Sequence, residues 1–353
     1  MKKLLLVLAA VLTVAACVPE SSENQENKQE NQAGPQDPQD PQNPQDPPAT
    51  EPKYDAPELV DLGLPSGVKW AASDLGSADP MVPGDYFSWG DTDAAVYFGS
   101  SNKYWEYEGG NGYATKYSVS MRQGRLVDMK TVLEPEDDAA TVGIGKGWRT
   151  PTYDDFMELM DNCSWQNGEE TIVLTSLKNG NSITFLNRGH YEGSRFEPSS
   201  VYMSASLACY DLRASANNGV YVLFGGDFRA SGYRTLGMNV RPVCGGEAKG
   251  YEWKVNATEP EISGTSASIG GVFHFDEEVL REYKYYVKIF DGIAGDTPLA
   301  RKEFARGAKA TFSGLEAGHT YYYIVCYEAK WREGSYTYTE DGNSEVRSFT
   351  MGN

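Results

Sequence analysis

Gly143, Gly145 and Gly147 are the residues of this chain that come nearest in spacing to a cofactor loop. They read G-x-G-x-G, which lacks dinucleotide spacing, and Lys146 is followed by Gly147 where a phosphate loop needs Ser or Thr. No helix starts on these glycines, so no helix dipole would face a phosphate, and a tight turn is the expectation. Two adjacent carboxylate pairs, Asp137–Asp138 and Asp154–Asp155, have the residue types for acid–base work. Both stand at predicted helix starts, where neighbouring side chains point apart and capping accounts for them. His190, His274 and His319 are too scattered for a metal site, and Cys163, Cys209, Cys244 and Cys326 match no zinc spacing. Export would allow some of those cysteines to pair, with connectivity open. No G-x-S-x-G elbow occurs. The expectation is a non-enzymatic protein with no cofactor and no metal.

What stays is a set suited to recognition: Arg188, His190, Tyr191, Arg195, Tyr210, Arg213, Phe228, Arg229, Tyr233 and Arg234. Phe196, Tyr202 and Tyr221 belong to the same crowd. Tyrosine and arginine on loops dominate binding hot spots through large area and fixed polar tips. The competing expectation is that half of this crowd fills or covers the core.

The elements that must position these residues centre on Trp148-Arg149-Thr150-Pro151-Thr152. Thr152 with Asp155 approximates a capping box, and Phe156, Leu159, Met160 and Cys163 fall at helical spacing, so one helix face must be buried. Trp148 and Phe156 are expected in the core, Pro151 breaks the backbone before the helix, and Arg149 and Arg241 are expected as buried or half-buried anchors. Residues 136–142 predict a short helix with acids at its start. Strands are predicted at 171–175, 182–186, 220–224 and 238–243, with Asn179-Gly180 as a hairpin turn between the first two. Residues 99–125, rich in Gly, Asn, Ser and Tyr, predict a long exposed excursion. Two helices among many short strands make an α+β domain over 54–246.

Six motifs stand in order here: Val60-Asp-Leu-Gly-Leu-Pro-Ser-Gly-Val-Lys-Trp70, Gly84-Asp-Tyr-Phe-Ser-Trp-Gly90, Asp137-Asp-Ala-Ala140, Gly147-Trp-Arg-Thr-Pro-Thr152, Asn179-Gly-Asn-Ser-Ile183 and Val240-Arg-Pro-Val243. Together they resemble the Fibrobacter succinogenes major paralogous domain of Bacteroidota-type surface lipoproteins. The resemblance implies a C-type-lectin-like fold, shared with formylglycine-generating enzymes, whose ligand face uses the C-terminal portion. Tyr202-Met-Ser-Ala205 departs from the expected Tyr-Trp-Ser-Ser. Glu197-Pro198-Ser199 without a later Trp-Asn-Asp lacks the calcium-lectin pattern, and the closely spaced cysteine pair of the oxidising enzymes is missing.

From residue 251 to 353 the period becomes two. Strands are predicted at 268–275, 283–290, 308–312, 320–327 and 345–350, with Asp341-Gly342 as a turn before the last. Leu315-Glu-Ala-Gly-His-Thr-Tyr321 resembles the tyrosine corner of fibronectin type III domains, with Tyr321 as its structural residue. The early-strand Trp of that family is missing, so Phe273 or Phe275 is expected in its place. The fold class expected for the whole is an α+β C-type-lectin-like domain followed by an all-β fibronectin type III-like sandwich.

The N-terminus supplies an address. Residues 1–17 carry a basic start, an apolar run from Leu4 to Ala16 and Cys17 after Val14-Ala-Ala16. That run is shorter than the ~20 residues of a spanning helix and fits a secretory signal. It resembles a lipoprotein signal peptide with Cys17 as the lipidated residue. Residues 18–53 follow as a tether, without apolar residues from Glu20 to Gln32 and then with proline every third position from Pro35 to Pro47. Formal net charge is −19 and becomes −21 once a signal carrying Lys2 and Lys3 is removed. Such a chain repels nucleic acid. The expected partners are the membrane, through the N-terminal lipid, and a glycan or protein ligand. The expected place is the outer membrane, facing the exterior. The alternative function is a structural or accessory subunit of a fimbrial or surface complex.

Overall fold

The computed structural model describes residues 51–119, 125–187, 189–198, 201–208, 219–224, 230–274, 282–292, 297–333 and 336–352; residues 219, 221–224, 230–231, 282, 331–333 and 336–341 are described by their backbone. The described chain is mostly β, with two short helices, α1 (Ala139–Ile144) and α2 (Tyr153–Asn162).

Strand Val201–Leu207 shows why the first part folds as it does. Every one of its residues is buried. Because strand side chains alternate, Val201, Met203, Ala205 and Leu207 enter one apolar core while Tyr202 enters another. It is the middle strand of a five-stranded sheet ordered Ala230–Tyr233, Gly219–Phe224, Val201–Leu207, Met238–Asn239, Tyr86–Phe87. Its pairing with Met238–Asn239 is parallel and the other pairings are antiparallel. A four-stranded sheet places Val243–Cys244 between Lys69–Ala71 and Trp148–Arg149, with Leu59–Val60 at its edge. The strand predicted over 238–243 is thus two strands in two sheets. Buried Arg241 lies between them, ion-paired to Asp74 with both side chains fully enclosed.

Helix α2 begins with a complete capping box between Thr152 and Asp155. Phe156 and Leu159 are buried with Cys163 beside Trp70, whose ring centroid lies 5.2 Å from that of Phe156. Pro151 is buried, and its carbonyl accepts from Ala205 N–H at 2.7 Å. Strands Cys163–Asn167, Thr171–Ser176 and Ser182–Leu186 form a meander, with Gly180 at φ +77° in its second turn. The helix expected over 136–142 divides at Asp138: a 3-10 turn at Pro135–Asp137 precedes α1, which Asp138 caps.

The expected exposed excursion over 99–125 is corrected. It contains the hairpin Trp105–Glu108/Asn111–Ala114, and Trp105, Tyr117 and Ser118 are buried. Its Gly and Ser content hid the buried apolar residues Trp105, Ala114, Tyr117 and Val119.

The second part is built from antiparallel strands. Val255–Ala257 pairs with Gly271–Phe273, while Glu261–Ser263, Ser266–Ile269 and Ala310–Ser313 form a second sheet. Ala300–Phe304, Glu282–Phe290, Thr320–Glu333 and Tyr336–Asn343 form a third, and Arg347–Thr350 also pairs with Thr320–Glu333. The strand predicted over 268–275 breaks at Gly270, so its two ends serve different sheets. Asp341-Gly342 is not a turn: both residues lie in strand Tyr336–Asn343. A Cβ on Gly342 would stand 2.8 Å from the Tyr327 ring, so glycine is there for close approach. Tyr321 is buried, and its hydroxyl accepts from Glu316 N–H at 3.0 Å. Phe273 is buried 4.2 Å from the Tyr285 ring, and Phe275 lies outside the described residues.

Between the two parts, Trp253 packs on the first core while Val255 enters the second. Val127 and Met129 of the first part pack against Phe290, Val346, Tyr322 and Ile324 of the second. Residues 52–353 form one compact unit. Among the described residues, no helix is long and apolar enough to cross a membrane.

Candidate functional site: an aromatic hairpin face

Three residues of the predicted binding set fall on one short hairpin, His190–Glu192 paired with Arg195–Glu197. Gly189 opens it at φ +85°, where a Cβ would meet the Glu197 carbonyl at 2.2 Å, so only glycine fits. Tyr191 N–H donates to the Gly237 carbonyl at 2.9 Å, and Gly237 N–H returns a bond of the same length. Phe98 N–H donates to the Gly193 carbonyl at 3.0 Å. Backbone bonds therefore knit three distant segments beneath one surface.

The side chains above them are aromatic. The Tyr191 ring stands 4.9 Å from Tyr86, 6.0 Å from Phe98 and 5.3 Å from Phe196. Phe98 is buried, which anchors the cluster, whereas Phe196 is 45% exposed, Tyr97 67% and Val96 85%. Arg195 forms an ion pair with Glu197 on the same strand. Burial pushes the His190 imidazole below its usual pKa, against the pull of Glu197 and Glu192. This assembly can stack on a flat or apolar ligand surface and offer charged groups at its edge.

Tyr233 ends strand Ala230–Tyr233, four residues before Gly237, and is 57% exposed. Arg234, expected at the ligand face, is corrected to an interior residue. It is fully buried between Trp89 and Trp105 and donates to the Lys116 and Tyr117 carbonyls, each at 3.1 Å. Burial lowers its guanidinium pKa to about 9. Tyr202 is likewise core. Arg188, Tyr210, Arg213, Phe228 and Arg229 lie outside the described residues. Sequence reasoning missed Tyr86, Val96, Tyr97 and Phe98. The signal was the apolar run Val96-Tyr97-Phe98 ending at Gly99, which is short enough to pass as a buried strand.

The carboxylate pairs are divided as helix starts divide them. Asp137 is buried and receives Lys103, Lys116, Tyr104 and Tyr117 at 2.8, 2.5, 2.5 and 2.6 Å. Burial alone would raise its pKa, but those four donors hold it well below the usual range. Asp138 caps α1 and accepts from Thr150, with burial pushing its pKa up. Glu134, Glu136 and Asp137 bring three carboxylate oxygens within 4.8 Å of one another, as a cation site would. Lys116 Nζ already sits there, 2.6 Å from Glu134, 3.8 Å from Glu136 and 2.5 Å from Asp137. The protein supplies its own cation. Cys163 and Cys326 are buried thiols outside any disulfide, and Cys244 is disulfide-bonded.

No protein-family model matches the chain, and searches of curated proteins and of solved structures find no similar one.

Proposed function

We propose that the chain is a non-enzymatic, lipid-anchored cell-surface binding protein that recognises a glycan or protein through the hairpin face around Tyr191. In this reading residues 54–246 are a C-type-lectin-like domain of the major paralogous type, and residues 251–353 are a fibronectin type III-like sandwich that braces it. Cys17 carries the lipid, and the tether holds both clear of the outer membrane.

The supporting observation is the aromatic cluster itself. Tyr191 and Phe98 are fixed by packing and backbone bonds, while Phe196 and Tyr97 stay in solvent. Rigid aromatic area beside charged tips is what a recognition surface needs, because little entropy is lost on binding. A glycan and protein array probed with the full-length chain tests the reading. Saturable binding to at least one arrayed ligand supports it, and a blank array overturns it.

Exposed apolar side chains on the second part, Ile262 at 45%, Val272 at 52% and Leu299 at 57%, favour the second reading, a subunit of a fimbrial or surface complex. Co-purification of stoichiometric partners through residues 251–353, with the array blank, would favour assembly.

A further inference from the structure

A cavity of about 230 Å³ lies where the connector 249–252 crosses the start of α2. It is smaller than the ~300–1,000 Å³ of drug-sized sites, so its occupant is a single ring or smaller. Backbone bonds preform its back wall. Tyr251 N–H donates to Thr131 Oγ1 at 2.7 Å, and Tyr153 N–H donates to Ser206 Oγ at 3.0 Å. Gly250 permits that approach, since a Cβ there would stand 2.8 Å from Thr131 Oγ1. The Tyr251 ring meets Trp253 edge-on at 5.0 Å, and Trp253 packs on the first core. One wall is therefore an anchored aromatic ring.

Three charged residues line the same space: Asp154, Lys249 and Glu252. None of them forms an ion pair or a side-chain hydrogen bond with another described residue. All three are exposed, so they stand at the rim of the cavity with their charged ends open to an incoming ligand. Burial first, then Asp155 and Glu252, push the Asp154 carboxyl up, while Lys249 pulls it down. The groups thus feel one another across the cavity without meeting.

The charges select the occupant. An anion would face two carboxylates, and a compact cation would face Lys249. A neutral ring bearing several hydroxyls can donate to the carboxylates and accept from the ammonium, with its apolar face against tyrosine. We propose that this cavity binds one neutral sugar ring, with Asp154 and Glu252 as acceptors, Lys249 as donor and Tyr251 as the stacking wall. The proposal rests on the glycan branch of the function proposed above and adds a second contact to it, apart from the Tyr191 hairpin.

The test titrates the full-length chain with the methyl glycosides of glucose, galactose, mannose and N-acetylglucosamine, read by saturation-transfer NMR. Inorganic phosphate and methylammonium serve as the charged controls. At least one glycoside should bind saturably, with Kd on the order of millimolar for so small a ligand. The double variant Tyr251→Ala, Glu252→Gln should lose roughly tenfold or more in affinity, about one decade of binding constant, while Glu252→Gln alone weakens binding with its thermal melt unchanged. Absence of saturable binding by all four glycosides overturns the proposal, as does unchanged binding in the double variant or preferential binding of either control. Sugar binding that depends on Arg195 and Phe196 but not on Tyr251 and Glu252 also overturns it, while leaving the hairpin reading intact. Cavity binding alongside a blank array sustains it and removes the hairpin reading instead.

Discussion

Arg149 and Asp155 form a buried, two-pronged ion pair, with Nη1 to Oδ2 at 2.5 Å and Nη2 to Oδ1 at 2.9 Å. The same Asp155 carboxylate accepts from Thr152 N–H at 2.6 Å, closing the helix cap. One side chain thus ties strand Trp148–Arg149 to the start of α2. Burial acts to raise the Asp155 pKa, and the Arg149 pair with the Thr152 bonds outweighs it, leaving the carboxyl below its ordinary value.

The sign of the pH dependence follows. A carboxyl with a lowered folded pKa contributes stability above its unfolded pKa of ~3.9 and loses it as pH falls through the folded value. Asp137 acts in the same direction, and Asp138, whose pKa is raised, acts in the opposite one. Melting temperature should therefore drop as the pH is taken from about 5 to about 2. Asp155→Asn should melt below wild type at neutral pH, and the gap should close at the acid end. Parallel melting curves at every pH would show that the pair contributes nothing through its charge.

Phe156 fills the space between α2 and Trp70. Phe156→Ala should cost ~3–5 kcal/mol, enough to lower the melt by many degrees or prevent folding. Circular dichroism melts of the variant and wild type check this, and an unchanged melt would contradict burial of that helix face.

Met129 contacts the second part through a small apolar patch with Val127, Phe290 and Val346. Met129 also packs on the first core, so Val127→Asp, at a residue that belongs to the patch and not to that core, is the variant that tests the patch. Calorimetry of wild type should show one transition over residues 52–353, and the variant should resolve two. Two transitions already present in wild type would mean that the patch does not couple the parts.

The anchor is tested separately. Cys17→Ala should move the protein from the membrane fraction to the soluble one and abolish its lipid mass. Unchanged fractionation with no lipid on the wild type would remove Cys17 from the account; that residue lies outside the described part of the structure.

Legibility in the sequence followed how local each signal was. The α2 cap and its buried face were readable because Thr152, Asp155, Phe156 and Leu159 lie within eight residues. The hairpin over 171–186 is readable from alternation and Asn179-Gly180, whereas strand Cys163–Asn167 is not, because Cys163 also continues the helical spacing of α2. Arg234 was misread because its enclosure depends on Trp89 and Trp105, more than a hundred residues away, and composition made the second of these look like loop. Asp341-Gly342 was misread because a glycine required by the ring across the ladder looks like a turn glycine. Tyr191 was placed in the binding set by residue type alone, whereas Tyr86 and Phe98, which hold its ring, come from segments with no local sign of contact.

The central claim is that the hairpin face recognises a ligand. The most direct measurement compares wild type with the double variant Arg195→Ala, Phe196→Ala, by titrating each against the best arrayed ligand and recording its thermal melt. Both residues are exposed, so the melts should agree within about a degree. Binding by the variant should weaken by roughly tenfold or more, as loss of hot-spot contacts does. Equal affinity for the two proteins, with both folded, would contradict the claim.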